Sequence, residues 1–127
     1  MVAKLMISVV EDDAFVRLAT ENLLVSLGFD VLAFASAQAF IESGRVGDAS
    51  CLITDIRMPG LSGLDLQAHL NAKGQRLPII FMTAFPSDET QEKALKGGAV
   101  GFLKKPFTDE CLIRCLDKAL GREGGRI

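Results

Sequence analysis

The chain has 127 residues, of which 49 % are hydrophobic, so it is long enough to form one domain with its own buried core. Its formal net charge of −2 and its lack of Trp and Tyr argue against a nucleic-acid-binding protein, which uses a basic surface and often aromatic stacking. We therefore expect no nucleic acid contact by this domain. We interpret the three irregularly spaced cysteines as small buried residues without disulfides.

The first predicted element is an apolar run over residues 5–10, typical of a strand that is buried on both faces. This run is too short to span a membrane. Three acidic residues, Glu11, Asp12 and Asp13, follow it directly, with no cleavage site for a signal peptide. These features predict a cytoplasmic protein with no membrane contact.

Strand-like and helix-like segments alternate along the chain, five of each. The predicted strands cover residues 5–10, 31–35, 51–54, 79–82 and 99–103. Gly28 and Gly74 end the first and third helices, and the second, fourth and fifth have caps at Ser36, Ser87 and Thr108. Helical spacing predicts the core-facing residues of the first helix (Val16, Ala19, Leu23, Leu27), the third (Leu64, Ala68, Asn71), the fourth (Ala94, Leu95) and the fifth (Leu112, Cys115, Leu116, Ala119).

Strict alternation of strands and helices predicts an α/β fold with a parallel sheet covered by helices on both faces. The chain is too short for a barrel of eight such units, which favours an open doubly wound sheet with strand order 2-1-3-4-5. In that order the first and third strands are neighbours at the topological switch point. Ligands of such sheets bind at the carboxyl ends of the strands.

Polar residues follow four of the predicted strands, where those strands reach this edge. Glu11, Asp12 and Asp13 follow the first strand and Asp55 follows the third. Thr83 follows the fourth strand, and Lys104 and Lys105 follow the fifth. Each also has an ordinary structural explanation. Acids after the first strand favour the N-terminus of the next helix, and for Asp13 alone this is the better explanation. Asp55 can start a turn, Thr83 can be an ordinary strand residue and Lys105 can be a solvated loop charge. Their meeting at one switch point favours a shared site.

The acidic residues of this edge suit a divalent cation. Two carboxylates about 4 Å apart repel each other by roughly 4 kcal/mol at an effective dielectric constant of about 20. A hard cation such as Mg²⁺, with Mn²⁺ as a substitute, removes this repulsion and often shares its site with a phosphate. Lys105 and Thr83 would then be partners for the anion. There is no Gly-rich loop after the first strand, so a P-loop or Rossmann nucleotide site is not supported.

Four motifs lie on these elements: VVEDD at 9–13, ITDIRMPGLSG at 53–63, FMTA at 81–84 and GAVGFLKKPF at 98–107. Together they resemble the receiver domain of bacterial response regulators, the CheY-like family, which has a flavodoxin-like fold. The run MTAF and Phe102 are most similar to the FixJ-like branch. The resemblance implies a receiver domain at residues 1–120. The three glycines and two arginines at 121–127 predict a flexible tail or the start of a linker.

The resemblance also implies a role for each matching residue. Asp55 would be the phosphoacceptor, Thr83 and Lys105 would contact the phosphoryl group, and Phe102 would be the aromatic switch residue beside Thr83. The implied ligands of Mg²⁺ are Glu11, Asp12, Asp55 and the backbone carbonyl of Arg57.

The implied function is that of a two-component signalling protein. A sensor histidine kinase would donate the phosphoryl group of a phosphohistidine, and the domain would change conformation and slowly remove the group itself, without being a turnover enzyme. A face made by the fourth helix, fifth strand and fifth helix would bind a downstream effector or a second copy. Two alternatives are a degenerate receiver that acts only as an interaction module, and a small Mg²⁺-dependent phosphohydrolase. The phosphohydrolase usually has an acid two residues after the nucleophile, where this chain has Arg57.

Overall fold

A computed structural model describes residues 5–121. It contains five strands: β1 (Met6–Val10), β2 (Asp30–Phe34), β3 (Cys51–Asp55), β4 (Ile79–Thr83) and β5 (Gly101–Lys104). All neighbouring strands are parallel, and their order is β2-β1-β3-β4-β5. The predicted doubly wound α/β sheet is therefore confirmed, with β1 and β3 side by side at the switch point.

Four α-helices connect these strands and a fifth follows β5: α1 (Ala14–Ser26), α2 (Ala37–Glu42), α3 (Gly63–Ala72), α4 (Asp88–Lys96) and α5 (Asp109–Ala119). The hydroxyls of Ser36, Ser87 and Thr108 accept hydrogen bonds from backbone N–H groups in the first turns of α2, α4 and α5, which confirms the three predicted caps. The Asp13 carboxylate accepts from the N–H groups of Phe15 and Val16 and caps α1, so the interpretation that it favours the N-terminus of this helix is also confirmed. No helix within residues 5–121 is long and apolar enough to cross a membrane.

Three predicted strand boundaries differ from the structure in ways that affect the site. Strands β3 and β4 each extend one residue further than predicted, so Asp55 and Thr83 are the last residues of their strands. The fifth strand was predicted to start at Ala99 but starts at Gly101. The N–H of Ala99 instead donates to the carbonyl of Ala94 at 3.0 Å, which closes the end of α4. The predicted tail lies outside the described residues, apart from Gly121.

The predicted inward face of α1 was right for Leu23, which packs half-buried against the core, and wrong for Ala19 and Leu27. Thr20 and Leu24 are buried, whereas Ala19 and Leu27 are exposed and Val16 and Leu23 are half-buried. Thr20 can be buried because its hydroxyl donates to the carbonyl of Val16, one turn earlier, at 2.8 Å.

The predicted inward face of α3 was right for Leu64, which packs half-buried against the core, and wrong for Ala68 and Asn71. Leu66, Gln67 and Leu70 are buried, while Ala68 and Asn71 are exposed and Leu64 is half-buried. In α4, Ala94 is buried as predicted but Leu95 is exposed. The prediction for α5 is confirmed, since Leu112 and Leu116 are buried and Cys115 and Ala119 are half-buried.

The sheet separates two hydrophobic clusters, because successive residues of a strand point to opposite faces. The first cluster lies under α1 and α5 and includes Ile7, Val9, Leu24, Ile53, Ile80, Leu103, Leu112 and Leu116. The second lies under α2, α3 and α4 and includes Val10, Phe40, Leu52, Leu66, Leu70, Phe81 and Ala94.

Candidate functional site

The strand ends bring three predicted acidic residues together at one edge of the sheet. Glu11 follows β1, Asp12 follows Glu11, and Asp55 ends the neighbouring strand β3. Carboxylate oxygens of the three residues lie within 4.8 Å of one another. Glu11 and Asp55 are 0 % and 6 % exposed, whereas Asp12 is exposed to solvent. The arrangement has one open side, through which a ligand could enter.

Lys105 provides the positive charge of this site. Its Nζ donates to Oδ2 of Asp55 at 3.1 Å and to Oε1 of Glu11, and it therefore joins the two buried carboxylates. The N–H of Lys105 also donates to the carbonyl of Thr83 at 2.8 Å, which fixes the chain after β5 beside the end of β4. The Lys105–Pro106 peptide bond is cis. Lys104 is exposed and takes no part in this contact.

Burial and charge act in opposite directions on these groups. Burial raises the pKa of Glu11, and this effect outweighs the hydrogen bonds from Lys105 and from the N–H of Asp13, which lower it. Burial lowers the pKa of Lys105, but the hydrogen bonds and charges of Glu11 and Asp55 outweigh burial and leave this pKa above its usual value. The site thus carries an ammonium with two buried acidic partners.

Thr83 lies beside this cluster at the end of β4 and is 1 % exposed. Its hydroxyl accepts a hydrogen bond from the N–H of Phe85 at 3.1 Å, and the hydroxyl proton is free to point to another acceptor. Phe102 does not join the polar cluster. It lies beside Phe81 in the sheet register and packs, half-buried, against the cluster under α2, α3 and α4.

Arg57 and Phe85 form a contact that the sequence did not predict. The guanidinium carbon of Arg57 lies 5.1 Å from the centroid of the Phe85 ring, within the range of a cation–π interaction. Both side chains are exposed, one just after Asp55 and the other just after Thr83. The contact therefore bridges the two loops that border the site.

Two further residues that support the site were also missed. Nη1 of Arg17 donates to the carbonyl of Glu11 at 2.8 Å and lies 3.5 Å from the carbonyl of Asp12. Gly63 lies directly against the backbone of β3, where a Cβ would clash with the carbonyl oxygen of Asp55. Gly63 falls within the quoted motif at 53–63, but nothing in the residue pattern indicated that its lack of a side chain matters here.

The donor set fits a hard divalent cation. Carboxylate and carbonyl oxygens are the ligands that Mg²⁺ and Mn²⁺ prefer, and three carboxylates this close gain from a cation between them. A sulfur or imidazole ligand is absent from the residues that form this cluster, which argues against a zinc site.

Comparisons with known proteins identify close relatives. The family described as response regulator receiver domain matches residues 7–117. Nodulation protein W of Bradyrhizobium diazoefficiens is 42 % identical over 123 residues, covering 97 % of this chain and 54 % of that protein. The transcriptional regulatory protein FixJ of Azorhizobium caulinodans is 41 % identical over 128 residues, covering 99 % of this chain and 61 % of that protein. The chain thus spans little more than half the length of these curated relatives.

Solved structures show the same architecture. The crystal structure of FixJ-N superposes with a TM-score of 0.84 at 31 % identity, covering 96 % of this chain and 98 % of that one. The response regulator StyR superposes with a TM-score of 0.86 at 41 % identity, covering 94 % of this chain and 60 % of that one. These neighbours confirm the predicted CheY-like fold and the similarity to the FixJ-like branch.

Proposed function

Because the chain belongs to the response regulator receiver domain family of two-component signalling, we propose that Asp55 accepts a phosphoryl group in a reaction that requires Mg²⁺ or Mn²⁺. One observation carries this proposal: Glu11, Asp12 and Asp55 place carboxylate oxygens within 4.8 Å of one another, and the Lys105 ammonium contacts two of the three residues.

The carboxylates of Glu11, Asp12 and Asp55, with the backbone carbonyl of Arg57, would hold the cation. When bound, the cation supplies positive charge that stabilises the oxygens of the group being transferred. Burial of Glu11 and Asp55 strengthens such charge interactions, because nearby water is replaced by fixed protein groups.

The chemistry follows from the nucleophile and its neighbours. A carboxylate oxygen of Asp55 attacks the phosphorus of a phosphohistidine, so that a P–O bond forms and the P–N bond breaks. The electron pair of the broken bond stays on the imidazole of the kinase. Lys105 is already within hydrogen-bonding distance of Asp55, and its ammonium neutralises charge on the transferred oxygens.

Thr83 would connect the modified Asp55 to the rest of the domain. Its free hydroxyl proton can be donated to a phosphoryl oxygen, which draws the end of β4 and the following loop towards the site. Phe102 lies two residues before the end of β5, in the cluster under α4, and would move into space that Thr83 leaves. This rearrangement would mainly shift α4, because its inward face carries one buried residue, Ala94.

The partners follow from this switch. A sensor histidine kinase would donate the group, and the face made by α4, β5 and α5 would bind a downstream effector or a second phosphorylated copy.

The domain would consume one phosphoryl group per cycle and release it by slow hydrolysis, so it is not a turnover enzyme. We place Arg57 and Phe85 at the entrance for the hydrolytic water, since their side chains bridge the two bordering loops.

The test is the intact mass after incubation with acetyl phosphate and Mg²⁺. We expect the wild-type protein to gain one phosphoryl group, and the gain to disappear with EDTA and in Asp55→Asn. Asp30→Asn is the matched control, because Asp30 is exposed and begins β2 at the opposite end of the sheet. Labelling of Asp55→Asn at the wild-type level would contradict the assignment. If neither the wild-type protein nor Asp30→Asn is labelled, even by histidine kinases, the degenerate receiver is favoured.

A further inference from the structure

Arg17 supports the acidic loop from the side of α1. Its side chain is half-buried, and its Nη1 donates to the carbonyl of Glu11 at 2.8 Å and lies 3.5 Å from that of Asp12. Hydrogen bonds from a charged donor are stronger than those between neutral groups. The guanidinium therefore fixes the Glu11 carbonyl and lies close to the next carbonyl of the loop.

This support matters differently for the two acids. The Glu11 side chain has its own contacts, with the N–H of Asp13 at 3.1 Å and with Lys105. The N–H of Glu11 also donates to the carbonyl of Phe34. Within residues 5–121, the Asp12 carboxylate makes no hydrogen bond or ion pair, so its direction depends on the backbone that Arg17 contacts.

We propose that Arg17 is a positioning residue for the divalent-cation site, acting through the backbone of Glu11 and Asp12 so that the Asp12 carboxylate faces Asp55. This inference rests on the proposed function, because it assumes that the acidic cluster binds the cation. It goes beyond the ligand set, since Arg17 itself offers no ligand atom to a cation.

The charge of Arg17 and its positioning role predict opposite effects of Arg17→Ala on the affinity for the divalent cation. Loss of a nearby guanidinium would by itself favour a second cation, because like charges repel. Loss of a group that orients a ligand weakens metal binding, typically tenfold or more when it contacts the ligand side chain directly. Because Arg17 contacts the backbone instead, we expect Arg17→Ala to raise the Kd for Mn²⁺ by about three- to tenfold.

The experiment measures free Mn²⁺ by electron paramagnetic resonance during titration of the full chain. Arg17→Lys, which keeps the charge and one donor group, should recover part of the affinity. Arg114→Ala removes one exposed guanidinium from α5 and should bind Mn²⁺ like the wild-type protein. A Kd for Arg17→Ala that is unchanged or lower would overturn the proposal. If the wild-type protein binds no Mn²⁺, both this inference and the metal dependence of the proposed function fail.

A second readout separates positioning from damage to the fold. In labelling by acetyl phosphate, Arg17→Ala should raise the half-saturating Mg²⁺ concentration by a larger factor than it lowers the rate at saturating Mg²⁺. A lower saturating rate with an unchanged half-saturating concentration would show a general structural defect, and would overturn the positioning role. Circular dichroism of the same samples measures how much of each variant is folded.

Discussion

The Lys105 ammonium lies 3.1 Å from a carboxylate oxygen of Asp55 and also contacts Glu11, so one ammonium group forms ion pairs with two buried carboxylates. Removal of one partner from a buried ion pair is costly, because the other charges keep their desolvation without compensation. This relationship makes Lys105 a determinant of stability as well as of the proposed chemistry.

We expect Lys105→Ala to lower the free energy of unfolding by about 2 kcal/mol at neutral pH, less than for a fully buried pair because the Lys105 side chain is 16 % exposed. This difference in stability should become smaller as the pH falls into the acid range. Glu11, whose pKa is raised, is then protonated and no longer depends on the Lys105 ammonium to neutralise its charge. Urea unfolding at several pH values measures this. Lys104→Ala is the control and should stay near wild type, since Lys104 is exposed.

Gly63→Ala should destabilise the domain by about 2 kcal/mol and reduce the labelling of Asp55. A Cβ at Gly63 would lie 3.0 Å from Cα of Ile56 and would clash with the carbonyl of Asp55, so β3 or the start of α3 must move. Gly47→Ala provides the comparison, because a Cβ there meets no atom within 4 Å. Equal urea midpoints for the two variants would contradict this account.

Two amide side chains of α3 hold the end of α4. Gln67 donates to the carbonyl of Ala94 at 2.9 Å, and Asn71 donates to the carbonyl of Gly97 at 3.0 Å. We expect Gln67→Ala to cost about 1–2 kcal/mol and to accelerate amide hydrogen exchange in α4 more than in β1 or β3. Gln91→Ala, on the exposed side of α4, should leave both quantities near wild type. Uniformly faster exchange across the sheet would argue against a local role.

Burial raises the pKa of the Cys51 thiol from its ordinary value to about 12. In the native protein we expect iodoacetamide to spare Cys51, which is 0 % exposed, and to modify it only after unfolding. Peptide mapping by mass spectrometry measures the modification. Rapid native modification of Cys51 would show that β3 opens more readily than its burial implies.

The same thiol predicts a dependence of stability on pH. Above pH 9 the unfolded chain releases the Cys51 proton while the folded protein keeps it, so the free energy of unfolding should fall with rising pH up to about 12. The contribution is at most about 1.4 kcal/mol for each pH unit. Cys51→Ala, measured in parallel, should show a shallower decline because this titration is removed.

The sequence predicted the sheet and the polar edge because both depend on short-range signals. Buried strands appear as apolar runs, and the rule for parallel sheets then brings the residues at the carboxyl ends of β1, β3 and β5 to one edge. Glu11, Asp55 and Lys105 are up to 94 positions apart in the chain, yet their meeting followed from strand order.

The helix faces were harder to predict, because the pattern treats polar residues as exposed. Thr20 and Gln67 are buried since each finds a hydrogen-bond partner, one within its own helix and one 27 residues away. Contacts of side chains with distant backbone, such as that of Arg17 with Glu11, leave no periodic signal. The pairing of Arg57 with Phe85 depends on loop conformation and was equally hidden.

The two clusters on either side of the sheet have a consequence for how signals could spread. Phe102 and Leu103 are adjacent in β5 but point into different clusters, the first under α4 and the second under α5. A rearrangement of Phe102 can therefore repack one layer while the other layer keeps its contacts. The sheet thus separates the two layers, so a substitution in the core under α1 should leave the packing around Phe102 and α4 largely unchanged.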